Sequence, residues 1–220
     1  MPFIEAKPFP FQFDFDHAAL LCIDMQRDFC LPGGFAESLG DNIANIQPCI
    51  PVIAKLQSAF RRCRLPIIHT KECHKRDLSD LPVAKLNRGN PRLKIGDYGP
   101  MGRILIEGEP GTDFIPENQP WVNEHVISKP GKDAFYGTDL DEYLMRRKIS
   151  ALVITGVTTE VCVQTTMREA NDRGYECLLA EDATESYFPE FKAVTLAMIR
   201  AQGGIVGWTA PTDTIVKALK

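Results

Sequence analysis

The chain has 220 residues, 44% hydrophobic and 25% charged, with a formal net charge of −4. These are the proportions of a soluble globular protein, and the mild acidity argues against nucleic acid or an anionic membrane as main partner. No apolar run is long enough to span a bilayer, and the seven cysteines form no Cys-x-x-Cys pair, so neither a disulfide framework nor a zinc site is suggested.

Residues 1–17 are rich in Pro and Phe and read as an extended arm, with Phe3, Phe9, Phe11, Phe13 and Phe15 packing on the body or on a neighbouring subunit. The opening residues lack the basic start and apolar core of a secretory leader, which sets the expectation of a cytoplasmic protein. Residues 18–220 read as one domain. Ala18–Ile23 is an apolar strand that ends at Asp24, and a Pro32-Gly33-Gly34 loop follows. Residues 43–62 carry Ile46, Ile50, Ile53, Leu56 and Phe60 at helical spacing. Pro66–Thr70 is a second strand. Residues 71–119 are polar and broken by Gly and Pro, a loop stretch long enough to suggest function. Glu124–Ser128 is a strand, Leu140–Arg147 a helix and Ala151–Thr155 a buried strand. Gln164–Arg173 is a helix ended by Gly174, Cys177–Ala180 a strand, Phe188–Gln202 a helix and Gly204–Trp208 a last strand. Strands alternating with helices predict a three-layer α/β/α domain around a mostly parallel sheet.

Ligands of such folds bind beyond the carboxyl ends of the strands. Asp24, Glu72, Lys129 and Cys162 each fall just past a predicted strand, so the four are expected to converge on one sheet edge. A lone free cysteine is usually buried and inert. At the entry to a helix, however, unpaired N–H groups favour thiolate and can hold an oxyanion. Asp24 is placed to take the thiol proton, and Lys129 to stabilise the charge this moves. Glu72-Cys73-His74 offers a carboxylate and an imidazole that suit a metal. With only four histidines and no matching third ligand, the expectation is no metal and no cofactor, with Glu72 and His74 meeting the substrate or shaping the loop.

The blocks Ile23-Asp24-Met25-Gln26-Arg27-Asp28-Phe29, Lys129-Pro130-Gly131 and Gly156-Val157-Thr158-Thr159-Glu160-Val161-Cys162-Val163 resemble the signatures of the isochorismatase-like cysteine hydrolases. The resemblance runs from about Ala18 to Trp208. It implies a catalytic triad of Asp24, Lys129 and Cys162, and a cis peptide near Val157–Thr158 that turns the Thr158 N–H toward an oxyanion beside the Cys162 N–H. Within the family, Met167–Leu179, Arg103-Ile104-Leu105, Gly108–Gly111, Lys129–Lys132 and Gln202-Gly203-Gly204 look like triuret and biuret hydrolases. That likeness implies that Lys132 and Gln202 hold substrate carbonyl and amide groups, that Phe29 lines the pocket and that Phe35 closes over the ligand. It implies a small acylurea as substrate, triuret before biuret, with no nucleic-acid or membrane partner. Sister amidases for ureidoacrylate, N-carbamoyl amino acids or nicotinamide remain alternatives, with Arg27, Arg92 or Arg103 available for a carboxylate. Isochorismate ether cleavage and a non-catalytic α/β module are the other readings, and the complete triad disfavours both. Relatives are commonly tetramers, and the Phe-rich arm suits a subunit contact, so a homo-oligomer is expected.

Overall fold

A computed structural model describes residues 2–89 and 91–219. Met1 and Lys220, the outer limits of the arm and the domain in the sequence reading, lie outside the described residues, as does Asn90. The centre is a six-stranded sheet: β1 (Ala18–Ile23), β2 (Ile67–Glu72), β3 (His125–Lys129), β4 (Ala151–Val157), β5 (Glu176–Glu185) and β6 (Trp208–Ala210). Its order is β6-β5-β4-β1-β2-β3 and every pairing is parallel. β1 and β4 are buried along their whole length, as continuous apolar runs in a sheet covered on both faces must be. One face packs Cys22, Val153 and Ala180 under α1 (Cys49–Arg62), through Ile53, Leu56 and Phe60, and under α5 (Thr212–Ala218), through Ile215. The other packs Leu21, Ile23 and Ile154 under α2 (Leu140–Arg146), α3 (Gln164–Asp172) and α4 (Pro189–Gly204), through Leu144, Met167 and Ile199. The α/β/α expectation holds. No helix among the described residues is long and apolar enough to cross a membrane.

Several boundaries differ from the sequence reading, and β5 runs on to Glu185, five residues past the expected end. α1 starts at Cys49, not at residue 43: Asn42 caps a separate 3₁₀ turn at Ile43–Asn45, and Pro48 stands at the helix entry, where its missing N–H costs nothing. The last strand begins at Trp208, because Gln202, Gly203 and Gly204 have positive φ and turn the chain out of α4 first. α5 was not foreseen. In the arm, Phe3–Ile4 pairs antiparallel with Phe11–Gln12. Phe11, Phe13 and Phe15 are buried, and Phe11 stacks on Trp208 with centroids 4.2 Å apart, while Phe3 and Phe9 stay exposed.

Candidate active site

β4, β1, β2 and β3 are neighbours in the sheet, so their carboxyl ends bring Cys162, Asp24, Glu72 and Lys129 to one edge. Asp24 leaves β1 at φ 53, a left-handed conformation that costs a non-glycine residue energy and is met at functional sites. Its N–H is held by Thr70 O at 3.1 Å and its Oδ1 accepts from the Thr70 hydroxyl at 2.7 Å. Gly156 lets β4 close against β1: a Cβ there would lie 2.1 Å from Ile23 O. The Val157–Thr158 peptide is cis. A turn of π spacing at Thr159–Val163 then carries Cys162 before α3 begins.

Lys129 is the hub. Fully buried, its Nζ lies 2.8 Å from Asp24 Oδ2, 3.5 Å from Cys162 Sγ and 3.9 Å from Glu72 Oε2. It also donates to the carbonyls of Gly131 at 3.0 Å and Lys132 at 3.2 Å, so the Lys-Pro-Gly turn folds back on its own lysine. Oxygen and sulfur atoms of Asp24, Glu72 and Cys162 all lie within 4.8 Å of one another. Glu72 in turn meets Lys132 at 3.0 Å and Lys85 at 2.7 Å. The side-chain amide of Gln26, from the first block, pairs with the backbone of Glu72: its Nε2 donates to Glu72 O at 3.0 Å and its Oε1 accepts from Glu72 N at 2.7 Å. Asp28, two residues on, accepts from Phe35 N and Leu105 N, tying the glycine loop and the long 71–119 segment to the same edge.

Burial raises the Cys162 thiol well above its ordinary value. Lys129 and Lys132 pull it down, but Asp24 and Glu72 push further up. This corrects the sequence reading that helix-entry N–H groups would favour thiolate: in this site desolvation is the larger effect. The resting group is a thiol, and attack requires a base. Burial alone would raise Glu72, yet Lys129, Lys132 and Lys85 together outweigh it and hold the carboxyl at about 2. Burial would lower Lys129, but Asp24, Cys162 and Glu72 push it up. Two carboxylates therefore face three ammonium groups. The cluster carries one surplus positive charge, and a thiolate or oxyanion formed at Cys162 completes its neutralisation. Asp24 meets one ammonium where Glu72 meets three, and the Cys162 thiol donates to Glu72 Oε2 at 3.9 Å.

A cavity of about 360 Å³ opens beside the thiol, lined by Phe29, Glu72, Lys132, Thr158, Cys162 and Tyr187 among others. A second, of about 320 Å³, shares Phe29, Leu39 and Lys132 with it and adds Phe35, Lys85, Arg88 and Lys94. Phe29, Glu72, Lys132 and Thr158 thus share a cavity with Cys162, and Phe35 borders the adjoining space. Gln202 is not among them. α4 runs back from the carboxyl end of β5 to the amino end of β6, so Gln202 stands at the opposite sheet edge, exposed, next to a glycine that neighbours Phe9 of the arm. His74 is drawn away from any metal role: Lys85 Nζ stands 3.0 Å from its Nε2 and 2.7 Å from Glu72 Oε1, bridging the two groups that had been weighed as ligands. Lys129 sits likewise among Asp24, Glu72 and Cys162, the donor set the described residues offer a cation. Lys85, Tyr187 and Thr70 were missed. Lys85 lies in the 71–119 stretch, where no periodicity marks it, and only its buried contact with Glu72 reveals it.

Residues 18–210 match the isochorismatase domain family, and the chain belongs to that family. The fold is shared with an isochorismatase family protein from Desulfovibrio vulgaris subsp. vulgaris str. Hildenborough, at 27% identity and TM-score 0.75 over 92% of this chain and 98% of that one. A cysteine hydrolase from Pseudomonas syringae pv. phaseolicola 1448A aligns at 22% identity and TM-score 0.75 over 100% of this chain and 97% of the other. The N-carbamoylsarcosine amidase from Thermoplasma acidophilum aligns at 23% identity and TM-score 0.66, covering 89% of this chain and 96% of its own. These last two likenesses establish the fold alone.

Proposed function

We propose that the chain is a cysteine-dependent amidohydrolase that releases ammonia from a small linear acylurea, triuret first and biuret second. The observation that carries the amidohydrolase reading is a thiol at the wall of a 360 Å³ cavity, 3.5 Å from an ammonium that also holds Asp24. Asp24 accepts the Cys162 proton as Sγ bonds to a terminal carbonyl carbon. The N–H groups of Thr158 and Cys162 hold the resulting oxyanion, backed by Lys129. As the C–N bond breaks, Asp24 returns its proton to the leaving nitrogen, which departs as ammonia, and a carbamoyl thioester remains. Water then attacks. Asp24 takes a water proton, the C–S bond breaks, and the thiol is restored. From triuret the product is carboxybiuret, which loses carbon dioxide to give biuret; from biuret it is allophanate.

The acylurea choice is supported by the resemblance of the sequence blocks and by Lys132, Glu72 and Lys85, which offer polar partners for urea carbonyl and N–H groups. One observation favours a second reading. Arg88 and Lys94 border the adjoining cavity, which suits a carboxylate-bearing ureido compound. Arg103 is not free for that task, being bound to the carbonyls of Gly96 and Arg76. The test is ammonia release from triuret, biuret, allophanate, ureidoacrylate and nicotinamide in parallel. Triuret is expected to turn over fastest. Preference for ureidoacrylate would move the assignment to the second reading, and no turnover of any of them would end the acylurea proposal.

A further inference from the structure

The two cavities that meet at Lys132 differ in charge. The one beside Cys162 has three carboxylates in its wall, Asp41, Glu72 and Glu160. Its neighbour has four cations, Lys85, Arg88, Lys94 and Lys132, and no Asp or Glu among the described residues that line it. Part of this charge cancels, because Lys85 and Lys132 are committed to Glu72 at 2.7 and 3.0 Å. The rest does not. Asp41 and Glu160 make no ion pair among the described residues, and neither do Arg88 and Lys94. Unpaired acids therefore stand on the thiol side of a junction formed by Phe29, Leu39 and Lys132, and unpaired cations stand on the other side.

A field of this shape exerts little net pull on an uncharged molecule, and it sorts ions. The proposed reaction creates an ion at one place. An uncharged terminal amide enters, and a carboxylate is left on the carbon that Cys162 attacked. That anion forms in the compartment where Asp41 and Glu160 repel it. Lys132 faces both compartments and can hold it at the junction. Beyond the junction, Arg88 offers a planar fork that matches a carboxylate, and Lys94 adds a second charge. Phe29, Phe35, Leu93 and Ile95 supply the apolar wall that a flat ureido body needs.

We propose that the cationic compartment is a binding site for a small carboxylate, and that the carboxylate it serves is the one the reaction makes: the N-carboxy product moves from Cys162 past Lys132 to Arg88 and Lys94 on its way out. Neutral substrate and anionic product are thus drawn to different sides of one junction. The anion site stands on the lining of the cavity alone; its service to the product rests on the acylurea reading.

Two measurements separate these parts. The first is calorimetric titration of oxamate, a stable carbamoyl carboxylate, into the Cys162→Ser chain, where no amide is cleaved. Adding Arg88→Gln and Lys94→Gln should raise its dissociation constant about tenfold or more, since charge-assisted hydrogen bonds are lost. The circular dichroism spectrum should not change, because neither side chain has an ion-pair partner to lose. No binding of oxamate at millimolar concentration, or equal affinity with and without the two substitutions, would overturn the anion site. The second is inhibition of triuret turnover by added allophanate, read as ammonia release. The Arg88→Gln, Lys94→Gln double variant should be inhibited about tenfold more weakly than the wild type. Equal inhibition would overturn the product role. So would a wild type that prefers ureidoacrylate and loses that preference in the double variant, since the carboxylate held would then belong to a substrate. A chain that binds oxamate through Arg88 and Lys94 but releases ammonia from no acylurea keeps the anion site and loses the product role together with the acylurea reading.

Discussion

Two buried cysteines, Cys22 in β1 and Cys162 in the turn after β4, stand in different surroundings. Cys22 is the penultimate residue of β1 and faces α1. Its row partners across the sheet are Thr155 and His69, and Gln57 Nε2 donates to its sulfur at 3.6 Å. Burial pushes this thiol up to about 12. Cys162 is raised by burial too, yet it adjoins a cavity and has an ammonium 3.5 Å away. Desolvation is common to both and makes both poor thiolates at rest. What separates the proposed nucleophile from the enclosed thiol is space for a reactant and an ammonium whose attraction grows as negative charge forms at the sulfur.

Four experiments press on that contrast. Cys162→Ser should lower ammonia release by a factor on the order of 10⁴ or more, the scale seen when a nucleophile is removed, and retained turnover would place the chemistry elsewhere. Lys129→Met should abolish turnover and also destabilise the fold by about 3–5 kcal/mol, since it strands buried carboxylates; denaturant titration reads this. If the mutant keeps native stability, Lys129 is not the hub described.

Glu72→Gln acts on stability through pH. The folded-state carboxyl is depressed from 4.5 to about 2, so its contribution is complete above the unfolded value and is lost as pH falls from 4.5 toward 2. Denaturant midpoints of the wild type should decline across that window by a contribution on the order of 3 kcal/mol, and Glu72→Gln should flatten the decline. An equal acid slope in both proteins would remove the three-lysine account. The smallest effect is reserved for the contrasting thiol. Cys22→Ala should leave turnover unchanged and cost about 1–2 kcal/mol of stability from the lost buried volume. Loss of activity there would break the comparison.

Much of the catalytic edge was legible before any coordinates. Asp24 and Cys162 follow strands that are continuous apolar runs, and a parallel sheet must put such ends side by side. Lys129 closes its own strand. Lys85 was illegible because a lysine in an aperiodic loop has no signature until its partner is known. Gln202, named from the family likeness, was misplaced for a topological reason: a returning helix carries its last turn to the amino edge of the sheet. The charge state of Cys162 was misread because helix-end N–H groups are visible in local sequence and desolvation is not.

The sequence by itself determined the strands, their alternation with helices and the four segments that end at the carboxyl edge of the sheet, since hydrophobic pattern and turn residues act over a few positions. Tertiary structure alone decided the balance of two carboxylates against three lysines, the protonated thiol and the side of the sheet on which Gln202 lies. Coulombic and desolvation energies depend on distances between residues far apart in the chain, and those distances exist only once the chain has folded.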